Sequence, residues 1–86
     1  MTKPVTFIVF APAARQVSLV GDFNHWQSDA HPMQRQPDGA WILQVPLPHG
    51  HHLYRFLVDG QPVLDPRAQG VARDARGEPA SVRAVS

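Results

Sequence analysis

Nine prolines and six glycines are spread through the 86 residues so closely that no window of about 12 residues keeps a helical apolar period without a breaker. Proline lacks the N–H that a helix interior needs, and glycine loses the most backbone entropy on ordering. Long helices are excluded. What remains is a series of short apolar and β-branched runs separated by turn signals, the pattern of an all-β sandwich or barrel.

Val5-Thr6-Phe7-Ile8-Val9-Phe10 is the first predicted strand, closed by Ala11-Pro12. Gln16-Val17-Ser18-Leu19-Val20 is the second, with Val17 and Leu19 on one face, and Gly21 ends it. Residues 27–37 are polar and contain Pro32, so they read as a loop from which Met33 folds back to fill the core. Asp38-Gly39 turns the chain into a strand Trp41–Val45, which Pro46 and Pro48 stop. In the next run, His51 to Asp59, alternation puts His52, Tyr54, Phe56 and Val58 on the heavier face, predicted to meet the core. Asp59-Gly60 is a strong hairpin signal because a type I′ turn needs positive φ. Val63-Leu64 then returns, residues 67–78 read as a long mobile loop, and Ser81–Val85 closes the sheet.

A chain this short makes one domain, residues 1–86, that buries only about 60 to 65% of its unfolded surface. Its 43% hydrophobic and 17% charged residues are those of a folded chain. With no cysteine, stability comes from packing without disulfides, and thiolate metal sites and cysteine nucleophiles are absent. A net charge of +1 gives no field to draw phosphate backbones or anionic lipid, so neither nucleic acid nor membrane is an expected partner. No secretory signal opens the chain, and no apolar run approaches the roughly 18 residues of a membrane span. A soluble, cytoplasmic protein is the expectation.

The most informative local segment is Gly21-Asp22-Phe23-Asn24-His25-Trp26, which sets a large aromatic at a strand-to-loop turn. Trp26 there either plugs the end of the sandwich or offers its ring to a ligand. His49-Gly50-His51-His52 is no metal cluster, because neighbouring strand residues point to opposite faces. The acids Asp22, Asp29, Asp38, Asp59, Asp65, Asp74 and Glu78 fall mainly in turns, where carboxylates bond locally, and not as a pair held about 5 to 9.5 Å apart for glycoside hydrolysis. The expectation is no catalytic residue, no metal and no cofactor. Arg67, Arg73, Arg76 and Arg83 read as a solvated loop, with docking of an acidic partner as the alternative.

Four pieces in order, residues 17–26 (VSLVGDFNHW), 39–41 (GAW), 54–60 (YRFLVDG) and 65–66 (DP), resemble the carbohydrate-binding module family 48 domains. These include the glycogen-binding domain of AMP-activated protein kinase β subunits and the N-terminal domains of isoamylases and glycogen branching enzymes. The resemblance implies an immunoglobulin-like β-sandwich of the early-set type and non-catalytic binding of α-glucan, such as glycogen or maltooligosaccharide. The family's enzymes owe their catalysis to a separate barrel of about 250 residues, for which this chain has no room. On the matching positions, Trp26 is the first sugar-stacking residue, Arg55 the basic donor beside it, and Asn24 mainly a turn-former with a smaller share in ligand contact. Trp41 matches a packing aromatic.

Three positions depart from the kinase-type site: Pro62 replaces a second stacking Trp, Ala80 a polar Asn, and Ala75 a Leu. Losing one stacking aromatic removes about 1 kcal/mol or more, roughly tenfold in affinity, so binding is expected to be weak. The alternative is a protein-interaction or scaffold domain that keeps the sandwich, has lost the sugar site and docks a partner at an open sheet edge.

Overall fold

The computed structural model describes residues 1–86 and contains strands and turns with no helix. Strand β1 (Thr2–Phe10) pairs with β4 (Ala40–Pro48), which also carries the short β3 (Gln34–Arg35), giving a three-stranded antiparallel sheet. The second sheet runs β2 (Val17–Gly21), β5 (Gly50–Val58), β8 (Pro79–Val85), β7 (Gly70–Arg73), with β6 (Gln61–Val63) also on β5. β8 takes Gly50 to Tyr54 and β6 takes Phe56 to Val58, so the two share one edge of β5. The two sheets form the expected all-β, immunoglobulin-like sandwich.

Period-two alternation places the core as the sequence predicts. Tyr54 and Phe56 from β5, Phe7 from β1 and Leu19 from β2 have no exposed surface. The Phe7 and Tyr54 rings meet edge to face at 4.8 Å, and Tyr54 meets Phe56 at 5.8 Å, arrangements favoured by the aromatic quadrupole. Met33 is buried in this core, as is Trp41, whose Nε1 donates to the Ala11 carbonyl at 2.9 Å.

Tyr54 brings a hydroxyl into this apolar layer and needs an acceptor there. It donates to Asp65 Oδ2 at 2.6 Å, while the Asp65 N–H donates to Ser81 Oγ at 2.8 Å. Burial, followed by the Asp65 hydrogen bond and charge, pushes the phenol pKa well above its ordinary value. Because the folded value is raised, its contribution is complete below the unfolded value of 10.0 and is lost as pH climbs further. We expect alkaline unfolding to begin near that pH and to track ionisation of this single tyrosine, read by ultraviolet absorbance. Tyr54→Phe removes that phase and leaves an Asp65 oxygen unpaired, costing about 1 to 3 kcal/mol.

Several boundaries differ from the sequence reading: β2 is shifted by one residue, β6 is Gln61–Val63 where Val63-Leu64 was expected, and β8 starts at Pro79. β1 begins at Thr2, and β4 runs through Pro46 to Pro48 where a stop was predicted. Pro4 lies opposite Pro46, so the missing donors share one rung, and beyond Ile42 the other edge of β4 has no β3 partner to lose a bond. Within 27–37, Gln34–Arg35 pairs with β4 and Pro32 bridges Ser18. The predicted mobile loop 67–78 contains β7, which pairs with β8 from Gly70↔Val82 to Arg73↔Pro79. An edge strand held by backbone bonds and burying almost nothing leaves no apolar signature to find.

The Asp59-Gly60 hairpin forms with φ of +49° and +82°. Asp59 Oδ1 also accepts the Arg15 and Gln16 N–H groups at 2.8 and 3.0 Å, tying the hairpin to the start of β2.

Candidate functional site

The end of β2 is folded into a knot that presents Trp26. Gly21 N–H donates to Asn24 Oδ1 at 3.0 Å, and Asn24 Nδ2 donates to the Leu19 carbonyl at 3.0 Å and to His31 Nδ1 at 2.8 Å. The Gly21 carbonyl accepts both Asn24 N–H and Trp26 N–H. These bonds hold His25 and Trp26 at φ of +57° and +58°, a left-handed pair that ordinary side chains adopt only when the surroundings enforce it. The half-buried Trp26 thus stands at the loop tip over the outer face of the second sheet.

Asn24 itself is 7% exposed and turns its amide inward. Its side chain bonds Gly21, Leu19 and His31 beneath the Trp26 loop.

Arg55 projects from β5 on the face opposite Tyr54 and Phe56, and its guanidinium carbon lies 4.3 Å from the centroid of the Trp26 ring. Nη1 donates to the Pro79 carbonyl at 2.8 Å and Nη2 to Asp74 Oδ2 at 2.9 Å. With 16% of its side chain exposed, Arg55 commits those two N–H groups and one face to the protein, leaving the rest of its five-donor fork free.

Asp74 is the partner the sequence did not reveal. Its Oδ1 accepts Arg76 and Glu78 N–H at 2.9 Å each, closing the β7–β8 turn, while Oδ2 clamps Arg55. Burial opposes ionisation here, yet the Arg55 guanidinium and the two turn N–H groups outweigh it and hold the carboxyl below its ordinary value. Asp59 is lowered as well, by the Gln16 and Arg15 N–H groups.

Both folded values lie below the unfolded 3.8, so the stability they confer is present above that pH and is lost as pH falls through the lowered values. Arg55→Ala is expected to let the Asp74 carboxyl rise, measured by NMR titration, and to shift the Trp26 emission in the same variant.

Trp26 and Arg55, the latter held by Asp74, flank a groove of about 460 Å³ on this sheet, lined also by Val20, Leu57 and Pro62 with Leu64, Arg76, Glu78 and Pro79. The structure therefore brings Trp26, Arg55 and Pro62 together. It does not bring Ala80 to the surface: one rung beyond the Tyr54–Ser81 pair, this residue lies beside Arg55 with no exposed area. Ala75 is exposed on the turn and does not line the groove. Arg76 and Glu78, expected in a solvated loop, form its wall, and Arg83 instead stacks on Phe7 at 4.7 Å.

Two packed antiparallel sheets with such a groove on an outer face define the class, an immunoglobulin-like β-sandwich module. Within that class, the family described as Carbohydrate-binding module 48 (Isoamylase N-terminal domain) matches residues 1–73, and the chain belongs to it. The chain is 39% identical over 89 residues to the 1,4-alpha-glucan branching enzyme GlgB of Burkholderia cenocepacia (strain HI2424), covering 99% of this chain and 12% of that protein. It is 41% identical over 76 residues to the protein of the same name from Vibrio cholerae serotype O1, covering 87% and 10%. With the Pseudomonas fluorescens (strain Pf0-1) counterpart it shares 47% over 57 residues, 65% of this chain and 8% of the relative. The chain thus spans 8 to 12% of the length of these relatives.

Proposed function

We propose that the chain is a non-catalytic α-glucan-binding module that takes glycogen or maltooligosaccharide chains in the Trp26 groove and works in the cytoplasm. The observation that carries this reading is the knotted loop that holds an indole in left-handed backbone over an open groove, backed by a clamped guanidinium. A ring so placed offers a flat apolar surface to the C–H face of a pyranose, while the free Arg55 N–H groups, Arg76 and Glu78 reach hydroxyls.

Charge selects the ligand class. Arg55 is matched by Asp74, and Arg76 by Glu78 on the same wall, so the groove has no net charge to draw an anion and suits a neutral polyhydroxyl chain. The printed names of the relatives, enzymes of 1,4-alpha-glucan branching, point to the same polymer.

The non-catalytic reading is supported by what five of the seven carboxylates do. Asp22, Asp38, Asp59, Asp65 and Asp74 each accept a backbone N–H and serve the fold. Pro62, in the place of a second stacking ring, keeps the affinity low, and it also favours the alternative of a protein-interaction scaffold that has lost sugar binding.

Titration with β-cyclodextrin tests the proposal through Trp26 fluorescence against the constant emission of buried Trp41. A saturable change is expected. A flat response up to millimolar sugar, joined by capture of a defined protein partner, supports the scaffold instead.

A further inference from the structure

The outer face of the second sheet does not end at the Trp26 groove. On the far side of Leu57, which lines both, lies a second depression of about 400 Å³ formed by Gln16, Ser18, Ser28, Asp29, Pro32 and Gly60. The same elements build the two in parallel. Val20 pairs with Arg55 at the first, and Ser18 pairs with Leu57 two residues along the same ladder, a displacement of about 7 Å. The loop gives Trp26 to the first and Ser28 with Asp29 to the second, and the β5–β6 hairpin gives Pro62 and then Gly60.

We propose that this depression is a second subsite, which takes the continuation of a neutral glucan chain leaving the Trp26 groove across Leu57. The inference rests on the reading of that groove as an α-glucan site. Leu57 gives an apolar ridge for the C–H face of one sugar unit. Beyond it, two hydroxyls, an amide and a carboxylate are available to a ligand, because the backbone of Gln16 is tied to Asp59 while its side chain and those of Ser18, Ser28 and Asp29 make no hydrogen bond within the chain.

Asp29 is the one charged lining residue, so a phosphorylated or otherwise anionic chain is disfavoured, whereas a carboxylate readily accepts from sugar hydroxyls. The site adds length preference to a groove that Pro62 leaves short of stacking surface.

The test compares maltotriose with maltoheptaose by amide-shift titration in the wild-type chain and in the double variant Ser28→Ala, Asp29→Ala. The heptaose is expected to bind the wild type about fivefold more tightly than the triose, and the variant to lose that gain while its triose affinity is unchanged. The unchanged triose affinity also reports that the variant folds. Equal affinities for the two sugars in the wild type, or a variant that keeps the gain, overturn the second subsite and leave the Trp26 groove standing. If neither sugar binds the wild type, both readings fall together.

Discussion

Trp26→Ala is expected to lower α-glucan affinity by about tenfold or more while leaving the fold nearly as stable as before. The two effects separate because of where the ring sits. Trp26 is half-buried over the outer face, and its backbone is held by bonds to the Gly21 carbonyl that alanine can still make. Arg55 loses its aromatic partner but keeps Asp74 and the Pro79 carbonyl. Trp41 supplies the contrast. It is 5% exposed within the core, and Trp41→Ala is expected to cost about 3 to 5 kcal/mol. Thermal melts of both variants beside a sugar titration decide between a plug and a platform: a plug at Trp26 gives a large loss of stability and no loss of affinity.

Gly21→Ala is expected to damage both fold and site. A Cβ at this position would lie 2.4 Å from Phe23 Cε2 and 2.7 Å from the Leu53 carbonyl oxygen. The Phe23 ring can shift, but the carbonyl belongs to β5, accepts the Asp22 N–H at 3.0 Å and cannot retreat without opening the β2–β5 ladder. Overpacking of this kind costs about 1 to 3 kcal/mol, and in a domain of this size each kcal/mol lowers the melting temperature by about 4 to 8 °C. Gly21 is also the hub that accepts Trp26 and Asn24 through its carbonyl and donates to Asn24 through its N–H. The variant should therefore bind sugar less well even at temperatures where it remains folded. Chemical denaturation and titration of the same sample measure the two losses, and Gly21→Ser, with a bulkier substituent, should be no better.

The strands that face the core were legible because alternation and turn residues act locally. Tyr54 and Phe56 declare their face by spacing, Asp59-Gly60 declares its hairpin by the backbone angles it demands, and Asn24 is recognisable as a turn-former. β7 was not legible, since Gly70–Arg73 buries only part of Ala72 and owes its place to pairing with β8. For the same reason Asp74 was missed: it lies 19 residues from Arg55, and only the β7–β8 register carries it across the sheet. Ala80 looked like a lost ligand contact in the sequence, yet the ladder hides it beside Arg55 and gives Pro79 the place on the groove wall. Arg55 stands out in the sequence beside Trp26, but its backing of the indole, with a guanidinium that Asp74 holds, is set only in the folded chain.

In the proposed function, Trp26 and Arg55 form one α-glucan site on the outer face of the second sheet. Mapping amide and indole N–H shifts during a maltoheptaose titration tests it most directly. Saturable shifts are expected in the Trp26 loop, Arg55 to Leu57, Pro62 to Leu64 and the 74–79 turn, joined by Gln16, Ser18 and Gly60 where the longer chain reaches the second depression, with the Trp26 indole signal moving and that of Trp41 fixed. Saturable shifts that instead cluster on the first sheet, or none up to millimolar sugar, would contradict it.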